Sequence, residues 1–130
     1  MPDNDELEFE VIEAYTRAQA IADGTLMDVT STAREMGIRL PVAVTHSVWA
    51  RYVMLTPAAL RARNDERGRL WDVLWMFRTA AQRPPETNEI TFSLYVVTDS
   101  TKPSLVELKA VCGPGDNAEP VITIMLPEED

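Results

Sequence analysis

The chain has almost none of the cysteine and histidine from which small proteins build redox or zinc sites. In 130 residues there is one cysteine, Cys112, and one histidine, His46. One cysteine permits no internal disulfide and no cysteine-based metal cluster. One histidine, with no HExxH, excludes the common zinc-hydrolase pattern. Long apolar runs are missing too, and none approaches the roughly 20 residues a membrane span requires. The opening MPDNDELEFE lacks the basic start and apolar stretch of a secretory signal, and it is far too acidic for a transit peptide. Lysine is scarce, two against ten arginines. The expectation is a cytoplasmic protein with no membrane partner, no cofactor and no metal.

Basic charge is also lacking: the net charge is -9. Its placement matters more than its size. Asp3, Asp5, Glu6, Glu8, Glu10 and Glu13 precede the first base, Arg17, and Glu128, Glu129 and Asp130 come last. Those nine acids account for the whole imbalance, leaving residues 14 to 127 neutral. A neutral body argues against sequence-independent phosphate binding, which runs on a basic surface. A DNA mimic would need acids spread over a folded face rather than gathered at the ends.

With 45% hydrophobic and 25% charged residues, the composition is that of a globular domain. The layout expected is an acidic lead over residues 1–8, a single α+β domain over 9–127 and an acidic tail over 128–130. Helical spacing of Val11, Tyr15, Ala18 and Ala22 predicts a helix from Phe9 to Asp23, stopped at Gly24. The segment TLMDV is short and extended or a loop. Thr30 or Ser31 caps a brief helix closed by Gly37. IRLPVAV, holding Pro41, reads as extended or irregular. Thr45 caps a helix to Leu55, and Thr56 with Pro57 opens another short one. Asp65 opens the longest helix, to Gln82. Period-2 alternation then predicts strands in ITFSLYVV, SLVELKAVC and PVITIML. The fold expected is N-terminal helices packed on one face of a C-terminal three-stranded antiparallel β-meander.

Cys112 falls on one strand face with Val106, Leu108 and Ala110, which predicts a small buried hydrophobe. The following Gly-Pro-Gly-Asp, Gly113 to Asp116, reads as a hairpin turn. A phosphate loop would lead into a helix and carry a Lys followed by Ser or Thr. A Cys112–His46 pair stays open as an enzyme alternative, since catalytic groups meet in space rather than in sequence. Residues 28 to 55 resemble a helix-turn-helix at a glance. Their second helix starts with LPVAV, which offers few polar groups to base edges.

Around RLWDVLWMFR, Leu70, Val73, Leu74, Phe77 and Ala81 form a core stripe. Trp71, Trp75 and Arg78 lie along one flank of it at 100° per residue. Trp and Arg are enriched at interface hot spots, so this flank is a candidate binding surface unless Trp49 and Tyr52 cover it. Tyr95, Glu107 and Lys109, on the outer sheet face, are a second candidate.

The segments VIEAYTRAQAIADG, GRLWDVLWMFR and LKAVCGPGDNAEPVITIMLP together resemble a family of small bacterial proteins of unknown function, often found on plasmids, integrative elements and prophages. The resemblance covers Val11 to Pro127. It implies no reaction and no catalytic residue. It implies a setting, that of an accessory factor acting on host machinery, with countering of host defence as one specific form. The function expected is therefore non-enzymatic protein binding, with pairing of exposed sheet edges as a route to a homodimer. A small enzyme using Cys112 and His46, or a DNA-binding or DNA-mimicking protein, is the alternative.

Overall fold

A computed structural model of the chain describes residues 15–130. In chain order the elements are α1 (Arg17–Ala22), β1 (Leu26–Asp28), α2 (Thr30–Glu35), β2 (Val42–Thr45), α3 (His46–Val48), a π-helical turn (Trp49–Val53), α4 (Pro57–Arg61), α5 (Glu66–Ala80), β3 (Glu89–Val96), β4 (Ser104–Pro114) and β5 (Pro120–Met125).

Local chemistry explains most of the boundaries. The side chains of Thr16, Thr45, Thr56 and Asp65 each accept a backbone N–H from the first turn of the helix that follows. Each such cap satisfies a donor that the helix cannot satisfy itself, for about 1 kcal/mol. Thr16 adds a full capping box with Gln19. Thr16 is extended (φ -85°, ψ 159°), so α1 starts at Arg17 and not at Phe9. The part of that expected helix over residues 9–14, and the acidic lead over 1–8, lie outside the described residues. Gly24 at φ +85° and Gly37 at φ +90° turn the chain out of α1 and α2 through conformations that other residues adopt only under strain.

The sheet overturns the expected meander. Five strands run in the order β1-β2-β5-β4-β3, and the sheet is mixed. β3 pairs antiparallel with β4, and β4 with β5. β5 then pairs parallel with β2, with Val42 opposite Ile122 and Val44 opposite Ile124. β1 closes the far side, antiparallel to β2. Pro41 suits this arrangement because it precedes the strand. Its carbonyl accepts from the Ile122 N–H at 2.9 Å, so its lack of a donor costs nothing there. β2 is buried on both faces, with Val42, Ala43 and Val44 each at most 1% exposed, which is the signature of a central parallel strand.

The helices do not share one face. α5 lays Leu70, Val73, Leu74 and Phe77 on the inner face, where Phe77 meets Phe92 edge-on with ring centroids 6.0 Å apart. Val48 and Val53, from α3 and the π-helical turn, complete that core with Val44, Leu108 and Ile124. Each large aliphatic side chain buried this way contributes about 1.5–3 kcal/mol. α1 lies instead on the outer face. Its Arg17 donates from Nη1 to Thr123 Oγ1 at 2.7 Å and from Nη2 to the Ile122 carbonyl at 2.8 Å. Beneath α1, Ala43, Val121 and Met125 are buried on that outer side. The stretch that resembled a helix-turn-helix contains strand β2 between its helices, so it does not form that motif.

Candidate functional site

The flank of α5 divides along its length. Trp71 is half-buried against the inner core together with Trp49 and Tyr52. Trp75 is 44% exposed. Arg78 stacks its guanidinium over the Trp75 ring at 5.0 Å and donates from Nε to the Met36 carbonyl at 2.9 Å. Arg78 thus pins α5 to the end of α2 and steadies Trp75 from behind. Tyr95 is not part of this surface. It projects from the other face of the sheet, so the four candidate binding residues form two separate sites.

The Tyr95 surface is the larger apolar exposure. Tyr95 is 69% exposed and sits directly opposite Leu105, which is 61% exposed. Ser93 faces Glu107, and Thr91 faces Lys109, in the same two-strand ladder. α1 lies over the β1-β2-β5 half of the outer face, and among the described residues no helix lies over this half. Leu105 shares the outer-face alternation of Glu107 and Lys109, but as an apolar residue it carries no polar contrast that would mark it as exposed.

A concavity of about 540 Å³ lies beside α1. Its lining includes Arg17, His46, Asp116 and Glu129. Three of those charged groups are already engaged in holding the fold. Asp116, from the Gly-Pro-Gly-Asp turn, accepts the Arg17 N–H at 2.7 Å and the Ala18 N–H at 3.0 Å. The β4–β5 turn is therefore a clamp on the start of α1. Burial lowers the Arg17 guanidinium pKa, against the pull of Asp28, Asp116 and Glu119. Glu129 Oε2 accepts from the Thr45 hydroxyl at 2.8 Å and from the Leu126 N–H at 2.7 Å, tying residues 126–129 back to the end of β2.

Cys112 departs from expectation. It is exposed, although it occupies the inner-face side of β4. The cover of α5 ends near Ala81, and Cys112 lines a small apolar hollow of about 150 Å³ with Phe77, Ile90 and Ile122. His46 lines the cavity on the opposite face, so the two side chains of the candidate pair are not brought together. Among the described residues, no three His, Cys, Asp or Glu side chains gather closely enough to hold a metal ion. No helix among them is long and apolar enough to cross a membrane.

One charge is buried with no sequence signal to mark it. Arg69, on α5, is 5% exposed. Its Nε donates to the Val53 carbonyl at 3.1 Å, and its Nη1 to the Val97 carbonyl at 2.8 Å and to Asn64 Oδ1 at 3.2 Å. A π-helical turn and the exit of β3 are thereby fastened to α5 by one side chain. Burial lowers the Arg69 pKa, partly offset by Asp72.

Fold and site together define an α+β protein with a mixed five-stranded sheet, clamped on both faces, whose β3–β4 half carries an apolar patch that is uncovered among the described residues. The chain belongs to a family of unknown function (DUF6573), whose profile matches residues 5–130. No curated protein and no solved structure matches it.

Proposed function

We propose that this protein is a non-enzymatic binding factor whose principal contact surface is the outer face of the β3–β4 hairpin. One observation carries the reading: Tyr95 and Leu105, 69% and 61% exposed, form a cross-strand apolar pair on the half of the outer face over which, among the described residues, no helix lies. Burying such a pair is favourable in proportion to the area removed from water, and a tyrosine anchor adds a polar tip. Glu107 and Lys109 beside it supply charges of both signs at the rim, the pattern of a protein contact rather than of a nucleic-acid one. The Trp75 flank is a second, smaller surface on the opposite side. The setting implied by the resemblance, an accessory factor of a mobile element in a bacterial cell, accommodates this reading, with countering of host defence as its specific form.

The test is affinity capture from a nuclease-treated bacterial lysate by the parent chain and by the double variant Tyr95→Ser, Leu105→Ser. The expected result is one dominant protein held by the parent and lost from the variant, with the melting temperature of the two nearly equal. Equal capture by both would reject the Tyr95 surface. Loss of all capture on nuclease treatment would move nucleic acid to the front.

A further inference from the structure

β3 lies at the edge of the sheet, and beyond its first residue, Glu89, its sequence carries none of the usual protections. Natural edges are blunted by charges, proline or bulges. Residues 90–97, ITFSLYVV, contain no charge, no proline and no glycine. Alternation of the ladder settles which backbone groups are free. The Cys112 N–H donates to the Asn88 carbonyl at 2.8 Å, which makes 88 and 112 a hydrogen-bonded pair in the register that also joins Phe92 to Leu108. Even-numbered residues of β3 therefore bond to β4, and odd-numbered ones point their N–H and C=O outward.

Both ends of that outward row are already occupied. The Glu89 N–H donates to Thr87 Oγ1 at 3.1 Å, and the Thr87 hydroxyl lies against the Glu89 carbonyl. At the other end the Val97 carbonyl accepts from Arg69. Between the two caps, Thr91, Ser93 and Tyr95 present backbone donors and acceptors with no partner among the described residues. Three free residues, spaced by two, are the length and pattern of a short antiparallel ladder.

From this we infer that β3 pairs antiparallel with β3 of a second copy of this chain, about a twofold axis through Ser93. That register places Thr91 opposite the partner copy's Tyr95, a β-branched residue against an aromatic, which is a favourable cross-strand pair. It sets Glu89 opposite Val97, so no like charges meet. A shift of one step toward the N-terminus would need the backbone groups of Glu89 that Thr87 holds. A shift the other way would need the Val97 carbonyl that Arg69 holds. The product is a continuous ten-stranded sheet. The inference goes beyond the binding reading, because it rests on the edge backbone and not on the outer face, and the two can fail separately.

Sedimentation of the full chain from about 1 μM to about 1 mM, a range bracketing weak to moderate association, reads the state directly. The expected result is a reversible dimer. Hydrogen exchange should show the Thr91, Ser93 and Tyr95 amides protected in the dimer and exposed on dilution, while the Phe92 and Leu94 amides stay protected throughout. Ser93→Pro removes one outward N–H and leaves the β4 ladder intact, since proline is tolerated where the N–H faces away from the sheet. It should be monomeric. Ser93→Lys, which sets two like charges on the axis, should be monomeric as well and guards against misfolding of the proline variant. A monomer over the whole range, a dimer that survives both substitutions, or edge amides protected regardless of concentration would each overturn the pairing.

Discussion

Replacing Arg69 by methionine is the most informative single perturbation of this fold. The guanidinium serves two backbone carbonyls, those of Val53 and Val97, at 3.1 and 2.8 Å. Hydrogen bonds from a charged donor are worth about 1.5–3 kcal/mol each, so roughly 3–6 kcal/mol of interaction is lost. Part of this returns, because the burial cost of the charge is also removed, a term of several kcal/mol. Methionine keeps most of the side-chain volume, so little cavity is created. The net loss expected is about 2–4 kcal/mol. For a chain of 130 residues, an unfolding entropy of roughly 2.1 cal/mol/K per residue converts that into a fall in Tm of about 7–15 °C. Thermal unfolding followed by tryptophan fluorescence reads it. Asp72 provides an independent check. Its carboxyl pKa is raised by partial burial, and Arg69 pulls it back down. In Arg69→Met it should rise further, visible by NMR titration. A Tm within about 2 °C of the parent would show that Arg69 does not fasten the two segments and would refute the argument.

Four further outcomes are expected. Asp116→Ala removes the acceptor for two helix N–H groups and should cost about 1–2 kcal/mol, read as faster amide exchange in α1 than in α5. Trp71→Ala should destabilise by roughly 2–3 kcal/mol and Trp75→Ala by under about 1 kcal/mol, by urea unfolding, because only Trp71 packs on the core. Cys112 should react with a disulfide reagent in the native state nearly as fast as in urea, since it is exposed; strong native protection would contradict its placement. Hydrogen bonds from Tyr15 and then Thr25 hold the Asp23 carboxyl below the usual range. Its contribution is therefore present above the ordinary carboxylate pKa and lost as pH falls through the lower folded value. Tyr15→Phe should flatten that acid-side loss in a pH series of melting temperatures.

What could be read from the sequence depended on how much polar contrast each element carries. The helices Pro57–Arg61 and Glu66–Ala80 begin where their capping side chains placed them, at Thr56 and Asp65. The hairpin strands β3 and β4 alternate because one side meets the core and the other meets water. β2 meets protein on both sides, so Val42, Ala43 and Val44 show no alternation, and Pro41 just before them suggested irregular chain. With β2 unread, β1 had no partner, and the parallel join to β5 could not be inferred. The outer position of α1 was hidden for another reason. It is fixed by Arg17 reaching Thr123 and by Asp116 reaching back to α1, contacts about a hundred residues apart in sequence. Cys112 followed the correct side of β4, but the length of the helical cover, which ends before reaching it, is a tertiary fact. Tyr95 was visible as an outer-face residue; its pairing with Leu105 needed the register.

The parallel join of β2 to β5 also sets a timetable. β5 occupies the middle of the sheet, yet it is encoded at residues 120–125, about eighty positions after the strand it pairs with. Until those residues have left the ribosome, the β1–β2 pair and the β3–β4 hairpin have no common neighbour. Val42 and Val44 then wait with their inner faces bare. At synthesis rates of roughly 5–20 residues per second, that interval lasts several seconds. A nascent chain stalled before residue 120 should be sensitive to protease throughout, and protection should arrive in one step once β5 is available to both halves.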